Sequence, residues 1–89
     1  NDHMAFAVLD TLRFEMGLSV PDEVSVVGYD DVPMAAWGAY DLTTVRQPLE
    51  EMVEATVAAL LARIEGESEP RKVRLPGRLI VRRSARRPA

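Results

Sequence analysis

Gly17-Leu18-Ser19-Val20-Pro21-Asp22-Glu23-Val24-Ser25-Val26-Val27-Gly28-Tyr29-Asp30-Asp31 holds the end of one element, a connector and the whole of the next. Gly17 suits the left-handed residue that closes a helix, and Leu18 is placed for the hydrophobic contact that accompanies such an end. Pro21 can neither continue a helix nor donate to a β-ladder, so residues 19–23 read as a link. Val24 to Gly28 is a short β-branched run of the kind buried in a sheet. Tyr29-Asp30-Asp31 then falls at the carboxyl end of that strand, where open α/β sheets bind their ligands.

Upstream, residues 2–16 form a helix. Asp2 is its expected N-cap, and Met4, Ala5, Val8, Leu9, Leu12 and Met16 recur at helical spacing as its apolar stripe. Phe6 and Phe14 lie off that stripe with Asp10 and Arg13 between them, which marks a second packing face. Downstream, residues 32–41 contain Pro33 and Gly38 and read as a loop with one helical turn around Met34 to Trp37. Residues 42–46 form a second strand. Pro48 suits the first position of a helix over 48–65, with Glu50 and Glu51 at its positive end and Arg63 at its negative end. Leu49, Val53, Val57, Leu60, Leu61 and Ile64 supply the expected core face of that helix. A polar loop over 67–71 and strands at 73–75 and 79–83 complete the order, with a frayed tail over 86–89. The alternation predicts an α/β fold with a short parallel sheet flanked by two main helices. The strands are too few to complete such a sheet, so the chain reads as part of one.

With 89 residues the chain allows one small domain, and 47% hydrophobic with 28% charged residues is an ordinary globular balance. There is no cysteine, so disulfides, thiolate metal sites and cysteine nucleophiles are excluded. No apolar run approaches the ~20 residues that span a bilayer. A net charge of −3 argues against nucleic-acid binding through the overall field. Eight of the 11 basic residues lie between Arg71 and Arg87, but they alternate with Val73, Leu75 and Val81 and lack aromatics for base stacking. They read as a solvated sheet face.

Three polar residues fall where strands end: Asn1, opening a helix, Asp30 after the first strand, and Gln47 after the second. One carboxylate between two amides matches the hydroxyls of a sugar or polyol, because a carboxylate accepts from neighbouring hydroxyls and an amide both donates and accepts. Tyr29 or Trp37 could lie against the apolar face of a sugar ring. Asp31 reads as a solvated loop residue or cap. His3, the one histidine, has no partner for a triad or a metal, and no metal or cofactor is expected. No nucleophile–base pair and no phosphate-cradling glycine loop points to an enzyme.

Asn1-Asp2-x-Met4-Ala5, the stretch from Gly17 to Asp31, Leu42-Thr43-Thr44-Val45-Arg46-Gln47-Pro48 and Pro76-Gly77-Arg78-Leu79-Ile80-Val81-Arg82-Arg83-Ser84 together resemble the C-terminal half of the effector domain of the LacI/GalR repressors. The resemblance implies a periplasmic-binding-protein-like fold of two lobes with an effector between them. It implies effector-binding roles for Asn1 and Asp30, a cleft-lining crossover role for Gln47, and a further contact from Tyr29 unless its ring turns into the core. It also implies dimerisation through this lobe, for which Phe6, Asp10, Trp37 and Tyr40 are the candidates. The expected protein is a bacterial, cytoplasmic transcriptional regulator acting as a homodimer. Its effector would be a sugar, with a purine, nucleoside or sugar phosphate as the other possibilities, and no membrane would take part. Operator DNA would be read by an N-terminal helix-turn-helix outside residues 1–89, as would the first lobe lie outside them. The 48–65 helix would then pack mainly on those other parts. A transport protein delivering sugar to a permease shares the fold and is the alternative.

Overall fold

Why α1 starts at Asp2 is visible one residue earlier. In the computed structural model, which describes residues 1–67 and 72–87, the Asn1 side chain accepts from the Met4 amide at 2.9 Å and caps α1 (Asp2–Asp10). The cap is therefore Asn1 and not Asp2, whose side chain is fully buried. The expected helix over 2–16 is also not uniform: Thr11–Glu15 continues as a π-helical turn before Gly17 takes φ 66° and ends it. Leu18 donates back to the Leu12 carbonyl at 2.8 Å across that end.

The buried face of α1 is Asp2, Ala5, Phe6 and Leu9, rotated from the expected stripe so that Met4 and Val8 are exposed. Phe6 moves into the core because Tyr40 offers it an aromatic surface, with ring centroids 4.4 Å apart. Ala5, Phe6, Leu9, Val26, Ala35 and Leu42 form the core, and Leu12, Val20, Val32, Met34 and Tyr40 pack around it. The loop between Asp31 and Leu42 contains a 3-10 turn, Pro33–Ala36, near the helical turn expected there.

The sheet departs from expectation. Among the described residues its two strands, β1 (Thr44–Arg46) and β2 (Arg78–Ile80), pair antiparallel, with Thr44 opposite Ile80 and Arg46 opposite Arg78. Among the described residues parallel pairing survives only as single bridges, Val27 with Thr43 and Asp30 with Arg46. The reason lies at Ser84. Gly28 donates to the Thr43 carbonyl at 2.9 Å, as a parallel ladder requires. The return bond is instead relayed: the Thr43 amide donates to Ser84 Oγ at 2.8 Å, and Ser84 Oγ donates to the Val26 carbonyl at 2.6 Å. A hydroxyl inserted into the ladder keeps residues 24–28 from becoming a regular strand.

The chain divides into two units, residues 1–46 with 78–89, and residues 47–77. The second holds α2 (Leu49–Ile64), with Glu50 and Glu51 in its first turn and Arg63 in its last; Pro48 precedes the helix at the N-cap position without a side-chain cap bond, and is not its first residue as expected. The expected core face of α2 is solvent-facing: Leu49, Val53, Val57, Leu60, Leu61 and Ile64 are all exposed. The half-buried side carries the small residues Ala55, Ala59 and Ala62, and an open groove there is lined by Met52, Thr56, Val73 and Leu75. Residues 72–77 form no strand, unlike the expectation for 73–75. The loop expected over 67–71, apart from Glu67, and the last two residues of the tail lie outside the described residues. No helix among the described residues is long and apolar enough to cross a membrane.

Candidate functional site

A buried carboxylate builds the corner at which the polar candidates gather. The Asp2 backbone amide donates to the Tyr29 carbonyl at 3.1 Å. The Asp2 carboxylate accepts from Thr44 Oγ at 2.6 Å and from the Val32 amide at 2.8 Å. One residue of α1 thus holds the start of the helix, the Tyr29–Val32 turn and β1 together. Gly28 is glycine for the same reason, since a Cβ there would run into Asp2 Oδ1 and stand 2.8 Å from Leu42 Cδ2.

This arrangement brings the amino end of α1, with Asn1, beside Tyr29 and Asp30 on one edge of the first unit. All three are exposed. Asn1 spends one lone pair of its Oδ1 on the cap, and its side-chain NH₂ retains two donors. Asp30 has φ 126°, and its amide donates to the Val45 carbonyl at 2.9 Å. Gln47 opens the second unit, directly after Arg46, the bridge partner of Asp30.

Asp31 is not the solvated residue expected. Its side chain is 4% exposed, with Oδ2 accepting from Arg46 Nε at 2.7 Å and Oδ1 accepting from Arg82 Nη1 at 2.9 Å. Burial pushes this carboxyl up, but hydrogen bonds from Arg82 and Arg46 and the charges of both guanidinium groups outweigh it. The group is held below the ordinary carboxylate range. Neither Asp31 nor Asp2 carried a sequence signal for these roles. Each neighbours a residue of similar chemistry, and only the chain's return at Thr44 and Arg82 distinguishes them. Among the described residues no cluster of histidine and acidic side chains is arranged to hold a metal ion.

A second patch lies on the same unit. Phe6 is buried against Tyr40, whose hydroxyl donates to Asp10 at 3.3 Å. Burial first, then the charge and hydrogen bond of Asp10, push the Tyr40 phenol up from its ordinary pKa. Tyr40 donates its amide to the Trp37 carbonyl at 3.0 Å, and Arg13 Nη1 donates to the Ala39 carbonyl at 2.7 Å, tying this loop to α1 and its π-turn. Trp37 and Phe14 stay exposed, at 56% and 81%. His3 is exposed and lies 5.8 Å from the Phe6 ring.

A family profile described as a periplasmic binding protein-like domain matches residues 1–85. Over 89 residues the chain is 36% identical to the lactose operon repressor of Rhizobium radiobacter, covering all of this chain and 78% of that one. A solved transcriptional regulator, CelR in complex with cellobiose, matches at 40% identity and TM-score 0.86, over 96% of this chain and 26% of its own. A regulator from Enterococcus faecium with bound ribose matches at 37% identity and TM-score 0.77, over 96% of this chain and 32% of its own. The profile match and the solved neighbours define a periplasmic-binding-protein-like domain. The chain belongs to the LacI/GalR family of transcriptional regulators. It spans less than a third of either solved regulator.

Proposed function

We propose that this chain supplies one wall of a sugar-responsive effector cleft, and part of the dimer surface, in a LacI-type transcriptional regulator. The observation that carries the reading is the single edge shared by Asn1, Tyr29 and Asp30, tied by the bond from the Asp2 amide to the Tyr29 carbonyl. An exposed carboxylate beside an exposed amide presents acceptors and donors to vicinal hydroxyls, and the half-exposed Tyr29 ring offers an apolar face. Ribose and cellobiose in the two solved relatives support a sugar. Gln47, the first residue of the second unit, is a further candidate contact.

In this reading the effector binds one arrangement of two lobes better than the other, and that difference shifts dimers toward or away from operator binding. The exposed face of α2 would be covered by other parts of a longer protein, as would the operator be read by them. The relatives named as repressors support a cytoplasmic regulator over a transport protein. Calorimetry on the full-length protein with ribose and cellobiose tests the reading through Asp30→Ala. Loss of at least tenfold in affinity is expected from removing a charged hydrogen-bonding group, roughly 1.5–3 kcal/mol. Unchanged affinity for a sugar that the wild type binds would remove Asp30 from the site.

A further inference from the structure

The corner contains a second carboxylate for which the effector reading has no use. Asp31 is buried between Arg46, on β1, and Arg82, just beyond β2, and Arg82 Nη1 also donates to the Leu42 carbonyl at 2.9 Å. Two cations on one acid is more anchoring than an ordinary turn requires. The backbone explains what is being anchored. Asp30 has φ 126° and Asp31 φ 57°, two consecutive non-glycine residues at positive φ. The Asp30 value lies outside the small left-handed basin, in territory that essentially suits glycine, and such a conformation persists only where its surroundings over-determine it.

Two bonds pin the flanks: the Asp30 amide donates to the Val45 carbonyl, and the Val32 amide to the Asp2 carboxylate. Asp31 supplies the anchor between them. Its amide reaches Thr44 Oγ only at 3.4 Å, so the carboxylate carries the hold. We propose that Asp31 is a positioning residue. Clasped by Arg46 and Arg82, it keeps the corner in its strained form and so fixes the direction in which the Asp30 carboxylate meets a hydroxylated ligand. Asp31 does this without touching the ligand. The clasp also joins the corner to the two strands through which the chain leaves the first unit and re-enters it. The inference rests on Asp30 being an effector contact, and the experiment separates the two claims.

Crystal structures of the full-length protein carrying Asp31→Asn and, separately, Arg82→Met report the Asp30 φ directly. Calorimetry with ribose and cellobiose, at temperatures where each variant is folded, reports affinity. Asp30 is expected to leave the positive-φ region in both variants, and affinity for the sugar that the wild type binds is expected to fall roughly tenfold. Leu9→Ala, which weakens the core of the same unit about two helical turns along α1 from Asp2, should leave affinity at the wild-type value, so mere destabilisation does not reproduce the effect. If Asp31→Asn does not fold, Arg82→Met decides the matter alone. Retention of φ near its present value, or a relaxed corner with wild-type affinity, overturns the positioning role. A wild type that binds neither sugar, or an Asp30→Ala variant that binds as tightly as the wild type, counts instead against the effector reading, while the φ measurement still decides the clasp.

Discussion

Adjacent acidic or amide residues take opposite fates in this chain, and a single step in register separates them. Asn1 and Asp2 both suit a helix start, yet Asn1 caps and Asp2 goes under the helix to bind Thr44 and Val32. Removing that carboxylate leaves a hydroxyl and an amide unpaired in a buried place. Asp2→Ala should therefore cost about 2–4 kcal/mol of stability, measured by urea denaturation; a loss within experimental error would show that the network is dispensable. Asp31 gives a pH signature of its own. Its folded pKa is lowered, so its contribution is fully present above the unfolded carboxylate value of about 3.9 and is lost as pH falls through the lower folded value. Urea midpoints measured from pH 5 downwards should fall less steeply for Asp31→Asn than for the wild type. Parallel curves would mean that the arginine pair does not hold the charge in solution.

At the scale of elements, periodicity located both helices but did not orient them. The π-turn at Thr11–Glu15 and the aromatic contact from Tyr40 rotate α1 so that Phe6 is buried and Met4 is not. The β-branched run at 24–28 was legible as a sheet segment, but the antiparallel pairing of β1 with β2 and the relay through Ser84 depend on residues some thirty to sixty positions away. Ser84 is the test of that relay. Ser84→Ala leaves the Thr43 amide and the Val26 carbonyl without their shared partner, and about 1–3 kcal/mol should be lost. Ser84→Thr keeps the hydroxyl and adds a methyl group where the serine is fully buried. A neutral Ser84→Ala would indicate that the two backbone groups close directly into a parallel ladder.

For the whole molecule, the exposed apolar surfaces matter most. Trp37 and Phe14 on the first unit and the Leu49–Ile64 face on the second remain in water in this chain. Under the regulator reading, the first patch meets a second subunit. Phe6 is unsuited to testing it, because a charge at a 5% exposed core position would unfold the unit. Trp37→Asp probes the surface alone. It should weaken dimerisation of the full-length protein by at least tenfold in sedimentation analysis, while leaving the melting temperature within a few degrees, as surface substitutions do. An unchanged dimer constant would place the interface elsewhere.

Local periodicity determined the two helices and the β-branched run that leads into the acidic corner, and the contiguous motifs carried the resemblance to the LacI/GalR family. Tertiary structure decided which of two neighbouring carboxylates is solvent-facing and which is clasped, which face of α1 is buried, and how the strands pair. Those choices rest on partners distant in sequence, Thr44, Arg82 and Ser84, whose side chains reach Asp2, Asp31 and Val26 only once the chain has folded back. Local propensity has no term for a hydrogen bond closed across such a distance.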